Sequence, residues 1–97
     1  MTANKIDKIV LTIPAQEDLK AIKQYICYDN FSAAQEVIKH ILNCIENLKE
    51  NPSLGRAGRV LRTRELVISK YPYIVPYQVR ENTVYVLRIL HTSRKWG

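Results

Sequence analysis

Residues 83–91 read Thr83-Val84-Tyr85-Val86-Leu87-Arg88-Ile89-Leu90-His91, and this run decides where the sheet lies. From Val84 to Leu90 it is apolar on both faces of a strand except at Arg88, which suits a central strand covered on both sides. The rest of the chain must therefore supply its neighbours and its cover.

Working backwards, Tyr73 to Arg80 reads as a second strand, joined to the first through Glu81-Asn82, where Asn tolerates positive φ. Pro76 lies inside it and calls for an edge position or a bulge. Leu61 to Ser69 is a third strand, with a turn around Tyr71-Pro72. Residues 51–58 form a loop punctuated by Pro52, Gly55 and Gly58. Before that loop, Ala34, Ile38, Ile41, Ile45 and Leu48 recur at helical spacing, flanked by Val37, Leu42 and Cys44. Ser32 followed by Gln35 has the spacing of a capping box at the start of this helix, and Asn51-Pro52 ends it. An earlier helix spans about Ala15 to Tyr28, with Leu19, Ile22 and Ile26 as its stripe and Ala21 and Tyr25 widening it. Glu17 and Asp18 suit its N-terminus. The short link between the helices makes them an antiparallel hairpin. Residues 6–13, rich in β-branched side chains and stopped by Pro14, open the chain as a strand.

The order β-α-α-β-β-β predicts an α+β fold. A helical hairpin covers one face of a small, largely antiparallel sheet, and the other face, with its strand arginines, is left for a partner. Ninety-seven residues make one domain, 1–97. No apolar run is long enough for a membrane span and no signal peptide is present, so the expectation is a cytoplasmic protein with no membrane partner. Cys27 and Cys44 match no zinc spacing and read as reduced packing residues. No set of side chains suggests a metal site, a cofactor or a Ser-His-Asp group.

Charge divides the chain. Residues 1–52 carry six Lys against seven Asp/Glu, a net of −1, whereas 53–97 carry nine Lys/Arg against Glu65 and Glu81, a net of +7. Seven of those nine cations are Arg, the side chain made for planar contacts to carboxylate and phosphate. A one-sided arginine field points to a polyanionic partner, either nucleic acid or an acidic protein segment.

Several pieces resemble the RelE/ParE superfamily of toxins. They are Asn51-Pro52-Ser53-Leu54-Gly55-Arg56, Arg64-Glu65-Leu66, Tyr73-Ile74-Val75-Pro76-Tyr77, and the ending Leu87 to Trp96 with its Leu-His-x-x-Arg-x-Trp pattern. The resemblance covers nearly the whole chain, including the element order. It implies the toxin of a bacterial type II toxin–antitoxin pair, inhibiting growth and held inactive by a cognate antitoxin whose acidic and apolar C-terminal segment wraps it. ParE-like members block DNA gyrase. RelE-like members cut mRNA on the ribosome without a metal. The ending here is closer to the ParE side: it lacks the strand-lysine cluster and C-terminal tyrosine of many RelE-like nucleases, having Lys70, Lys95 and a final aromatic at Trp96. Gyrase inhibition is thus the preferred expectation, and ribosome-dependent mRNA cleavage the alternative.

The nuclease alternative assigns the phosphate and its developing charge to Arg64, Arg88 and Arg94, and the proton to His91 or Tyr77. Arg88 and His91 differ by three, so a regular strand sends them to opposite faces. They share a site only if the strand bulges or ends before His91. Arg88 is expected to face an open groove, with a carboxylate such as Glu65 as the other possibility. The protein-binding reading assigns Arg56, Arg59, Arg64, Arg88, Arg94, Lys95 and Trp96 to a partner. Arg62 is expected to share a face with Arg64 as a solvated edge. Tyr73 and Tyr77 share a face and read as core, and His40 reads as exposed.

Overall fold

The computed structural model describes residues 6–93, and the chain runs β1 (Lys8–Leu11), α1 (Ile13–Asp29), α2 (Phe31–Glu46), a single 3-10 turn (Asn47–Lys49), β2 (Arg56–Ala57), β3 (Arg64–Ile68), β4 (Tyr73–Arg80), β5 (Thr83–Val86) and β6 (Leu90–His91). The α+β class and the hairpin-on-sheet arrangement stand. The strands lie in the order β1-β5-β4-β3-β2, with β6 on β4. Every pairing is antiparallel except β1 with β5, which is parallel.

Each helix begins where a side chain can take up orphan amides. Thr12 Oγ1 accepts from Ala15 N–H at 3.3 Å, with Pro14 in the first turn, where it gives up no hydrogen bond. Thr12 N–H also donates to the Val86 carbonyl at 3.1 Å, which ties the start of α1 to the end of β5. The cap of α2 is Asn30, whose Oδ1 accepts from Ala33 N–H at 3.0 Å. The Ser32–Gln35 spacing is therefore not the cap. Asn30 lies two residues earlier and already has extended backbone, so it takes the orphan amide first.

Val37, Ile41 and Ile45 form the buried side of α2, and Leu48 from the 3-10 turn continues it. They pack on Leu66, Ile68, Tyr73, Val75, Tyr77, Val84 and Val86 from the sheet. Ile38 is only half-buried and Leu42 is exposed. From α1, Ala15 is fully buried and Leu19, Ile22 and Ile26 pack at the margin of this core. Ala21 and Tyr25 do not widen that stripe inward, since both are exposed.

The run 83–91 is not one strand. Tyr77 pairs with Val86 and Ile74 with Leu90, so Leu87, Arg88 and Ile89 face only Val75 and Pro76 across the gap. This is the bulge that Pro76 called for. Pro76 uses its carbonyl to accept from Leu87 N–H at 2.8 Å, and its missing N–H falls where the ladder is already broken. The Glu81-Asn82 turn has positive φ at both residues, 48° and 63°, as a two-residue hairpin requires.

Candidate functional site

The bulge aims Arg88 at the first helix. Its Nε and a terminal nitrogen donate to the two carboxylate oxygens of Asp18 at 2.7 and 2.9 Å, and Ile89 N–H donates to Asp18 Oδ2 at 3.0 Å. This bidentate pair keeps the Arg88 guanidinium more firmly protonated than an ordinary arginine, through the hydrogen bonds to Asp18 above all. The expected open groove at Arg88 is therefore replaced by an ion pair, and the partner is Asp18 rather than Glu65. The acid comes from the other half of the chain, 70 residues away, where the count of carboxylates near Arg88 did not extend.

Beside this pair opens a cleft of about 540 Å³ between α1 and β6, lined by Asp18, Ile22, Tyr25, Tyr73, Ile89 and His91 among others. Tyr25 stands 81% exposed on its rim. His91 is exposed and stacks edge-on against Tyr73, with ring centroids 5.6 Å apart. Its Nδ1 accepts from Ser93 N–H at 3.1 Å and lies 2.8 Å from Ser93 Oγ, which assigns the proton of the neutral ring to Nε2. The cleft is an apolar and aromatic trough with a histidine and an ion pair at its edge. That composition suits an apolar anchor of a protein segment.

A second cluster sits at the middle of β4. Tyr77 is fully buried. Its hydroxyl donates to the Pro52 carbonyl at 2.7 Å and accepts from Gly55 N–H at 2.8 Å. Gly55 has to be glycine here, because a Cβ would meet Tyr77 Cε1 at 2.6 Å. Arg64, opposite Tyr77 in register, donates to the Gly55 carbonyl at 2.7 Å. Burial pushes the Tyr77 phenol up, against a lowering pull from the Gly55 amide and the Arg64 charge. With both hydroxyl positions used, Tyr77 pins the 52–55 loop. Tyr77→Phe should leave the Gly55 amide unpaired and cost about 1–3 kcal/mol in urea unfolding. In the unfolded chain a tyrosine ionises near 10.0, and in the folded chain Tyr77 resists. The stabilisation is therefore present below pH 10 and lost as pH rises beyond it. Alkaline unfolding should coincide with the ionisation of the buried Tyr73 and Tyr77, the last part of the rise in tyrosinate absorbance.

Glu65 is 1% exposed and accepts from an Arg56 terminal nitrogen at 3.2 Å and from Arg59 N–H at 3.1 Å. It fixes the basic loop from beneath. By register Arg64 lies on the helix side of the sheet, whereas Arg56, opposite Glu65, lies on the other. The expected open face of strand arginines is thus reduced: β3 and β4 give it Arg80, beside Glu65, Val67 and Gln78. Arg62 does not continue a strand with Arg64 but sits in a turn with φ 66°.

The sequence-derived nuclease set is therefore split. His91 faces Tyr73 and Arg64 faces Tyr77, about 13 Å apart along β4 alone. Arg88 is spent on Asp18 and Tyr77 on the loop. Arg94, Lys95 and Trp96 lie outside the described residues. Among the partner-binding residues, Arg56, Arg59 and Arg64 do gather, around Gly55 and Glu65. Tyr73 is core, as expected, but His40 is half-buried against Tyr71, with its Nε2 3.5 Å from Cys44 Sγ. Asp18 and Tyr25 had been read as a dipole partner and a core residue. The signal that could have marked Asp18 was an arginine in an apolar strand with too few acids nearby. Among the described residues no group of His, Cys, Asp and Glu could hold a metal ion, and no helix is long and apolar enough to cross a membrane.

Residues 9–96 match the family described as the ParE toxin of the type II toxin–antitoxin system, parDE. The chain is 37% identical over 89 residues to a protein of Sinorhizobium fredii named as toxin Y4kP, covering 92% of each chain. It is 34% identical over 87 residues to Toxin RelE2 of Caulobacter vibrioides, covering 90% of this chain and 97% of the other. Among solved structures, the chromosomal ParDE TA system from P. aeruginosa superposes with a TM-score of 0.80 at 24% identity, covering 92% of this chain and 98% of that one.

Proposed function

Because this chain belongs to the ParE toxin family of type II toxin–antitoxin systems, we propose that it arrests growth by gripping DNA gyrase as a protein partner, and that it does not cut RNA. A cognate antitoxin follows from the family. The 540 Å³ cleft between α1 and β6 is where an apolar anchor of the antitoxin's C-terminal segment would seat.

The observation that carries the reading is the commitment of the nuclease candidates. Arg88 is held in a bidentate pair, Tyr77 has both hydroxyl positions used, and Arg64 is turned to a backbone carbonyl. A metal-free ribonuclease needs a base, an acid and a free cation around one phosphate. Here the histidine lies beside Tyr73 at the start of β4 and the Arg56, Arg59 and Arg64 cluster at its middle, about 13 Å along the strand.

The test is a supercoiling assay with purified gyrase, run beside transcript integrity in cells expressing the toxin. Inhibited supercoiling with intact mRNA is the expected result, and a folded His91→Ala protein should keep its toxicity. Loss of mRNA cleavage in folded His91→Ala protein would make this chain an enzyme.

A further inference from the structure

Leu61 stands 83% exposed at the tip of the loop between β2 and β3, and the backbone beneath it is fixed. Gly58 N–H donates to the Thr63 carbonyl at 2.8 Å, and Thr63 N–H to the Val60 carbonyl at 3.1 Å. The Thr63 hydroxyl donates to the same Val60 carbonyl, and Arg59 N–H is held by the buried Glu65 carboxylate. Gly58 leaves no space for a side chain: a Cβ there would lie 2.9 Å from the Thr63 carbonyl oxygen. Arg62, at φ 66°, occupies the left-handed region that side chains with a Cβ avoid. The loop is thus preset at a cost in backbone strain, a combination that marks binding and switch segments more than passive connections.

A single exposed leucine is ordinary, but this one is presented rigidly between two arginines. Among the described residues no carboxylate pairs with the Arg59 or Arg62 side chain, and Glu65 is turned inward on Arg56. Next to the loop lies a cleft of about 310 Å³ whose lining includes Arg62, Arg64, Gln78, Val79 and the fully buried Tyr77, whose ring is closed to a stacking base, and no acid. The surface is therefore cationic around an aliphatic tip. Its complement is a protein surface with an apolar socket rimmed by Asp or Glu. A nucleic acid would want an aromatic ring for its bases, and the segment 58–63 has none.

We propose that the 58–63 loop is a preformed docking knuckle for the protein this toxin acts on, with Leu61 in the socket and Arg59 and Arg62 on its carboxylate rim. The assignment to the target and away from the antitoxin comes from position. The cleft at Tyr73 and the knuckle beside Gln78 and Val79 lie at opposite ends of β4, about 17 Å apart along the strand. The inference rests on the reading that the toxin works by holding a protein.

Leu61→Ser, Arg62→Glu and Arg62→Asn test it, the last because Asn accepts the left-handed backbone without the charge. Thermal unfolding and calorimetric binding of the cognate antitoxin should match the wild type. Half-inhibition of purified gyrase should need at least ~30-fold more Leu61→Ser or Arg62→Glu protein, the effect of losing one anchoring contact, and growth arrest should weaken in parallel. Unchanged growth arrest in all three folded variants would overturn the proposal. An equal loss of antitoxin affinity would overturn the assignment to the target. If wild-type protein leaves gyrase untouched, the gyrase reading fails by itself, and growth arrest decides the knuckle. Weakened arrest then supports it, unless binding to a single-stranded uridine-rich RNA falls with it, which would overturn it in favour of nucleic acid.

Discussion

Replacing Ile41 with Ala should lower the unfolding free energy by about 2–5 kcal/mol. Ile41 is fully buried at the middle of α2, in one cluster with Leu66, Val75, Val84 and Val86. The substitution removes three carbons and leaves a cavity between a helix and a sheet. The sheet side cannot readily close over it, because Tyr77 is pinned to the 52–55 loop. A domain of this size has only about 5–15 kcal/mol to lose, so the midpoint in urea should fall with the slope unchanged. Leu42→Ala, one position along on the exposed side, should cost little. A near-zero loss at Ile41 would mean that the stripe is an interface and not the floor of the core.

Replacing Arg88 with Ala should cost about 2–4 kcal/mol, since it takes two charge-assisted hydrogen bonds from the partly shielded Asp18 carboxylate. Asp18 would keep the Ile89 amide, but the bulge at 87–89 would lose its tie to α1. The cleft beside it should then loosen, and antitoxin affinity should fall along with stability. Arg88→Lys should restore only part of the loss, because an ammonium cannot reproduce two parallel bonds. Asp18→Asn should resemble Arg88→Ala, and the double variant should cost less than the sum of the two. If Arg88→Ala unfolds like the wild type, the guanidinium is not part of the frame and is available to a ligand.

Local chemistry made much of the fold readable. The period of Ala34, Ile38, Ile41, Ile45 and Leu48 located α2, although Val37 and not Ile38 is its buried member, the residues 73–80 came out with both ends correct, and Glu81-Asn82 marked its own turn. Pro76 demanded an edge or a bulge, and the bulge is what the register contains. What could not be read is what depends on distant segments meeting. The bulge splits the run 83–91 because one extra residue must be absorbed opposite Pro76, and only a register shows that. Arg88 looked exposed to a ligand because its acid lies on α1. Tyr77 looked available for proton transfer because its acceptor and donor, Pro52 and Gly55, sit in a loop with no pattern of its own. Arg64 shares its face with Leu66 and Ile68, so period two inside the strand already puts it on the helix side; only Arg62, in a left-handed turn before the strand, departs from that alternation. The residues gathered around Gly55 and Glu65 were individually in view. That they form one structured corner follows from hydrogen bonds that composition does not reveal.

The parallel pairing of residues 8–11 with 83–86 has a consequence in time. While the protein is being made, β1 has no neighbour until Thr83–Val86 has left the ribosome. Val84 and Val86, part of the floor under α2, arrive only then, and Arg88 reaches Asp18 later still. Bringing such distant segments together is the slow, entropically costly step of folding. The helical hairpin can form early, since its contacts are local, but the sheet that gives it a surface cannot. The surface that α2 packs on is accordingly assembled only once the segment Thr83–Val86 is available, and the cleft beside Arg88 and Asp18 takes shape after it.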